Sequence, residues 1–210
     1  MQQVRVWDGF VRLFHWLLVA LLVALWWTAE NLYMDWHQRL AFITGGLVIA
    51  RVAWGFIGSQ NARFTTFLKS PRAALQHMRE LRQRQYQPEA THNPVGGWAV
   101  ALMLLLLLIQ FSTGLFATDD IFFSGPLNAL VSGDTASVLT TIHETNFNVL
   151  LGIIGVHIVA IAAYKWLGIP LVAAMIHGKR ELKSAPELRH GALGIVLAAV
   201  IIALLFWLLY

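Results

Sequence analysis

Five stretches of roughly 20 apolar residues, at 11–29, 39–58, 95–117, 144–164 and 191–210, dominate the chain. A rise of about 1.5 Å per residue carries such a helix across a hydrocarbon core about 30 Å thick. The structural alternatives are narrow. Inside lipid every backbone N–H and C=O must be satisfied by the protein itself, so only helices and closed barrels span, and no alternating barrel pattern is present. The chain reads as an all-α integral membrane protein, with a four-helix transmembrane bundle and a fifth, C-terminal transmembrane helix. Composition agrees, since 58% of the 210 residues are hydrophobic and only 12% are charged. The first span ends in "LWWTAEN", bulky where a cleaved leader needs small residues, so it is expected to remain as a helix. No internal repeat and no second soluble domain is visible, and 1–210 is read as one transmembrane domain.

The charges orient these spans. Arg5 and Arg12 precede the first. Arg63, Lys69, Arg72, Arg79, Arg82 and Arg84 lie between the second and third, and Lys165, Lys179, Arg180, Lys183 and Arg189 between the fourth and fifth. The opposite connections carry Glu30, Asp35, Asp119, Asp120 and Asp134. Because Lys and Arg accumulate in cytoplasmic loops, the N-terminus is expected inside and the C-terminus outside. Trp26, Trp27, Trp36, Trp98 and Trp166 fall near span ends, as interfacial aromatics do. The net charge of +4 is then a topology signal rather than a footprint for nucleic acid. The basic loop at 58–94 is expected to include a short surface helix over 71–84.

The chemistry lies in the histidines. With no cysteine, disulfides, thiolate zinc, Cys-ligated iron–sulfur clusters and covalently attached c-type haem are excluded. His143 and His157 stand fourteen residues apart in one span. At about 100° and 1.5 Å per residue they share a face to within roughly 40° and lie about 21 Å apart along the axis. Ionisable groups in hydrocarbon are costly and mark sites facing the protein interior. With the N-terminus inside, His15 and His157 fall in the cytoplasmic half, and His37 and His143 near the outer surface. Two pairs at two levels suit two non-covalent b-type haems, each held by opposed neutral imidazoles. Arg51, fourteen residues after His37, is expected to meet an inner haem propionate, and Arg39 either outer propionates or lipid phosphate. Gly45, Gly46, Gly55, Gly152 and Gly155 offer room for a flat macrocycle or mark plain helix contacts. His77, His92, His177 and His190 sit in basic loops and are expected to be solvated. Metal transport is the rival use of such histidines, but the spans lack acids and no broken-helix pair marks a transport site.

"VWDGFVRLFHWLL" at 6–18, "ARVAWGFIGSQNARF" at 50–64, "HNPVGGW" at 92–98 and the helix bearing His143 and His157 together resemble the prokaryotic cytochrome b561 family, especially the b-type cytochrome subunit of membrane-bound nickel–iron hydrogenases. The resemblance covers essentially the whole chain. It implies a di-haem four-helix bundle in a bacterial inner membrane, exchanging electrons between quinone and a periplasmic redox protein, with ligation at His15, His37, His143 and His157. The fifth span leans toward the partner-bound members.

The function expected is therefore a di-haem relay between membrane quinone and a periplasmic partner, either a hydrogenase or a c-type cytochrome. It would be an electron-transfer subunit rather than a self-sufficient enzyme. Two alternatives stay open: a stand-alone oxidoreductase that reduces quinone with a small periplasmic reductant, and a non-redox membrane anchor. The acidic outer loop with Asp119, Asp120 and Asp134 is the expected docking port for a basic protein.

Overall fold

The computed structural model describes residues 2–83, 91–182 and 184–210. Arg84, the last residue of the expected surface helix, and Lys183 lie outside the described residues. In chain order the elements are β1 (Gln2–Arg5), α1 (Gly9–Glu30), α2 (Met34–Ile57), a 3-10 turn (Gln60–Ala62), α3 (Phe64–Phe67), α4 (Pro71–Arg82), α5 (Pro94–Gly114), a second 3-10 turn (Asn128–Leu130), α6 (Gly133–Trp166), α7 (Leu171–His177), β2 (Lys179–Leu182) and α8 (Ala192–Leu209). Among the described residues five helices, α1, α2, α5, α6 and α8, are long and apolar enough to cross a membrane. These are the five apolar stretches of the sequence.

Three bounds differ from the hydropathy reading by three residues or more, and the first is the start of α2, at Met34 rather than at 39. α6 begins at Gly133 rather than at 144, because its first turns are polar and hydropathy does not see helix that extends past an apolar core. Ser132 starts it, its Oγ accepting from the Thr135 N–H at 3.3 Å. α5 stops at Gly114 rather than at 117. The surface helix α4 forms where expected, with Ser70 accepting from the Ala73 N–H and Pro71 in the first turn.

The chain divides into two compact units, each taking in parts of the long helices. The first comprises residues 1–13, 51–102 and 157–195, and the second 14–50, 103–156 and 196–210. In the first unit β1 and β2 pair antiparallel, from Gln2 opposite Leu182 to Arg5 opposite Lys179. The sequence reading placed no strand there. The pair is closed by Gly178, whose φ of +75° ends α7 and whose carbonyl accepts from the Val6 N–H at 2.8 Å.

Asp8 is the bracket of this unit. Its buried carboxylate accepts from the Val11 N–H at 2.8 Å, which caps α1, and from Trp54 Nε1 on α2 at 3.0 Å. Phe10 meets Trp54 edge-on at 5.5 Å, and Gly194 lets α8 come close against Phe10. The turn after α2 is tied back by Asn61, which donates to the Val6 carbonyl at 2.8 Å, and by Arg63, whose Nε donates to the Gly58 carbonyl at 2.8 Å. Asn93 caps α5 through the Gly96 N–H at 2.8 Å, with Pro94 at the first helical position.

In the second unit α8 packs on α2, with Phe206 edge-on to Phe42 at 5.3 Å and Ile202 against Gly46. Gly45 lies under the Phe111 ring, just as Gly55 of the first unit lies under Phe64. These three glycines serve close packing of protein on protein. A Cβ at Gly152 or Gly155 would meet nothing within 4 Å. In the connection after α5, Asp119 Oδ1 accepts N–H bonds from Ile121, Phe122 and Phe123 at 3.0, 2.8 and 2.8 Å. Those bonds, that from Phe123 foremost, hold its carboxyl below the usual carboxylate range. The turn they make leaves Ile121 and Phe122 76% and 94% exposed.

Asp8→Ala removes a helix cap and a buried indole acceptor together, and should destabilise the protein by about 2 kcal/mol. Asp8→Asn, which keeps a side-chain oxygen, should lose less. Thermal unfolding of the detergent-solubilised protein followed by circular dichroism measures the difference.

Candidate functional site

His37, in the first turns of α2, and His143, on α6, come together in the second unit with ring centroids 6.4 Å apart and planes crossed at 77°. Each ring is pinned from behind. His37 Nδ1 lies 2.9 Å from the Leu25 carbonyl of α1, with Thr28 Oγ1 at 3.4 Å. His143 Nδ1 lies 2.9 Å from the Gln110 carbonyl of α5. A carbonyl oxygen only accepts, so Nδ1 carries the proton in both rings and each neutral imidazole has its lone pair on Nε2. The Gln110 side chain agrees. Asn146 Nδ2 donates to its Oε1 at 2.6 Å, which turns the Gln110 Nε2 toward His143 Nε2, 3.1 Å away.

This donor set fits a b-type haem. Metal-bound imidazole nitrogens stand about 2 Å from the metal, and a ring centre lies roughly 1 Å behind its nitrogen, so two rings on opposite sides of one iron have centroids about 6 Å apart. A hydrogen-bond acceptor against the remote nitrogen is the usual way to fix tautomer and ring orientation in a metal ligand. Space is shaped around His143 as well. A Cβ on Gly114 would stand 2.8 Å from His143 Cε1, closer than packed atoms allow.

Arg39, on the same helix as His37, is held by the C-terminal residue. Its guanidinium donates to Tyr210 Oη and stacks on the Tyr210 and Trp36 rings at 5.1 and 5.3 Å. Its Nε is buried with no partner among the described residues.

The structure does not bring the second histidine pair into one unit. His15 belongs to the second, where its ring meets Trp16 edge-on at 4.9 Å, and His157 to the first. Their pairing rests on helical spacing, which the unbroken α6 from Gly133 to Trp166 supports for His143 and His157. Arg51 is buried in the first unit, where Nη1 donates to the Ala62 carbonyl at 3.3 Å and the charge of Asp8 acts on it.

Two loop histidines are not the solvated groups expected. His77 is buried on α4, and its Nε2 lies 3.1 Å from Tyr164 Oη, which also accepts from Asn93 Nδ2 at 2.8 Å. Burial pushes the His77 imidazole pKa down. His92 lies between Trp7 and Phe67, at centroid distances of 4.8 and 4.9 Å. His177 and His190 are exposed, as expected.

Sequence reasoning missed Thr28, Gln110, Asn146 and Gly114. The first three carried a usable signal, since they are polar residues inside or beside apolar spans. No curated protein and no solved structure gives a match to the chain. Residues 6–178 match the family model described as prokaryotic cytochrome b561, and the chain belongs to that family of membrane-spanning, haem-binding b-type cytochromes of electron transfer.

Proposed function

We propose that the chain holds two non-covalent b-type haems, one between His37 and His143 and one between His15 and His157, and carries electrons between membrane quinone and a periplasmic redox protein. The observation that carries this reading is the His37 and His143 pair, each with Nδ1 committed to a backbone carbonyl and its lone pair on Nε2, which in His143 accepts from Gln110 Nε2, a bond that iron would replace. Haem supplies the one-electron redox centre; the protein sets its position, potential and access. His37 and His143 present lone pairs from fixed rings. The buried Nε of Arg39 leaves an N–H for an outer propionate, and Arg51 offers its guanidinium at the other level.

The charge partition supports an inner-membrane arrangement with the N-terminus cytoplasmic. Fourteen of the fifteen Lys and Arg fall within the residue ranges of the first unit, while the second has Arg39 and six of the eleven acids. Such an asymmetry is the mark of positive residues kept inside. The outer connection then faces the periplasm with Asp120, Asp134 and the exposed Ile121 and Phe122. That mixture of acid and apolar surface suits a basic redox protein, a hydrogenase or a c-type cytochrome, steered by charge and seated on side chains.

Pyridine haemochrome analysis of the purified, haem-supplied protein should give a ratio near two. His37→Ala and His143→Ala should each abolish the same potentiometric component, and His15→Ala and His157→Ala the other. If His15→Ala and His37→Ala removed one and the same component, the pairing would be wrong.

Gly114→Ala tests the outer site without touching a ligand. Its methyl group would force the His143 ring off the position that Gln110 holds, so the outer component should be lost or broadened while the other persists.

For the docking face, Asp120→Lys with Asp134→Lys should slow haem reduction by the periplasmic partner and flatten its salt dependence, with quinol-driven reduction unchanged. Asp119 is left alone, because its carboxylate builds the turn. An unaltered partner-driven rate and salt dependence would remove this port.

A further inference from the structure

The sequence assigns His92 no task, yet three observations make it more than loop filling. Its ring is held on two sides, by Trp7 and Phe67. Its Nδ1 is buried with no partner among the described residues, and a buried polar nitrogen left without a hydrogen bond destabilises the fold. Thr91, the residue before it, donates to the Asn61 carbonyl at 3.4 Å, and Arg51 donates to the adjoining Ala62 carbonyl at 3.3 Å, which ties His92 and Arg51 to the same turn of the first unit. Burial first, then Arg51 and His157, push the His92 pKa down to about 3. The ring is thus neutral at ordinary pH and has one N–H to give.

Arg51 is the second half of the arrangement. A guanidinium has five N–H donors, and the hydrogen bond it makes among the described residues goes to one backbone carbonyl. Asp8 acts on it electrostatically, but both Asp8 oxygens are engaged, one by Val11 and one by Trp54. A buried cation with spare donors beside an unpartnered imidazole N is what a carboxylate would satisfy, and a cation alone would be repelled there.

We propose that His92 and Arg51 form one anion pocket, which takes a propionate carboxylate of the haem held by His15 and His157. The proposal rests on that haem being present, as set out under Proposed function. Arg51 supplies the charge and the fork of donors. His92 supplies a neutral donor from Nδ1, fixed in direction by Trp7 and Phe67. His92 is a positioning residue in this arrangement, acting on the macrocycle through its side chain and not on the iron.

The test uses the full-length, haem-loaded protein. His92→Phe keeps an aromatic ring between Trp7 and Phe67 but has no N–H. Two haems should remain. The component that His157→Ala abolishes should move to lower potential, since the carboxylate is left with more negative charge, and the propionate bending band in its resonance Raman spectrum should shift. His92→Gln, with an amide N–H, should return both toward wild type. Arg51→Leu should lower the same component, and adding His92→Phe to it should change less than His92→Phe does alone, because the two share one carboxylate. Should His92→Phe load no haem, haem dimethyl ester offered to wild-type apoprotein decides the matter. With no free carboxylate, it should bind the His15 and His157 site at least about tenfold more weakly than haem. Two haems in His92→Phe with an unmoved potential and band, or equal binding of ester and acid, would overturn the anion pocket and leave the di-haem reading standing. A wild-type haem ratio below two would instead strike at that reading.

Discussion

A carbonyl oxygen accepts hydrogen bonds and gives none, and that asymmetry determines what His37 and His143 are able to do. Each places Nδ1 against a carbonyl of a neighbouring helix, Leu25 of α1 or Gln110 of α5. The helices lose nothing by this, because a carbonyl has two lone pairs and the intrahelical bond uses one. Thr28 Oγ1 shares its proton between the Ala24 and Leu25 carbonyls, at 2.9 and 3.0 Å, so it makes only part of a bond to the acceptor of His37. What the imidazoles gain is a defined tautomer and a defined plane. Helix packing is thereby converted into ligand geometry, since the placement of α1 and α5 sets the direction of each Nε2.

Much of this was readable without coordinates, and the boundary follows the range of the interactions. The five spans, and the shared face of His143 and His157, depend on local periodicity, and an unbroken α6 preserves it. The pinning of His37 by Leu25 and of His143 by Gln110 depends on contacts across 12 and 33 residues, which no window captures. Polarity inside a span was the signal available for Gln110 and Asn146, and it went unused. Of the two uses open to the glycines, plain contact is the one that Gly45, Gly46 and Gly55 serve, and periodicity bears on the other two. At about 100° per residue Gly152 lies roughly 180° from His143 and Gly155 roughly 120°, so neither shares the histidine face. Loop composition points His77 and His92 toward water, and it is blind to what a loop folds against. The β1 and β2 strands, four residues each and far apart in the chain, have no local pattern at all.

The stretches that mark the family turn out to hold the first unit together more than they hold any ligand. In "VWDGF" the acid caps α1 and receives Trp54. In "WGFIGSQNARF" Gly55 admits Phe64, Asn61 reaches the Val6 carbonyl and Arg63 closes on Gly58. In "HNPVGGW" Asn93 caps α5, Gly97 clears the Phe67 carbonyl and Trp98 donates to the Lys69 carbonyl at 2.9 Å. Such short polar brackets suit the end of a membrane bundle. Between apolar helices in lipid the hydrophobic effect provides little drive, so small residues and directional bonds must set the relative placement of chain segments.

The charges divide into two tasks that should not be confused. The loop cations, from Arg5 and Arg12 to Lys179, Arg180 and Arg189, are numerous and mostly near solvent, where ions screen them over about 8 Å at physiological strength. They can orient the chain in a bilayer, because insertion responds to their number and side. They are poorly placed to act on a redox centre inside it. Arg51 is the opposite case, a single cation that is 3% exposed and too isolated to influence topology. In a low-dielectric surrounding one charge counts for more than many screened ones. A centre beside Arg51 would be easier to reduce than the same centre without it. Within the proposed di-haem reading, the field that bears on the potentials therefore comes from Arg51 at one haem and Arg39 at the other, with their immediate partners, not from the basic loops that dominate the net charge.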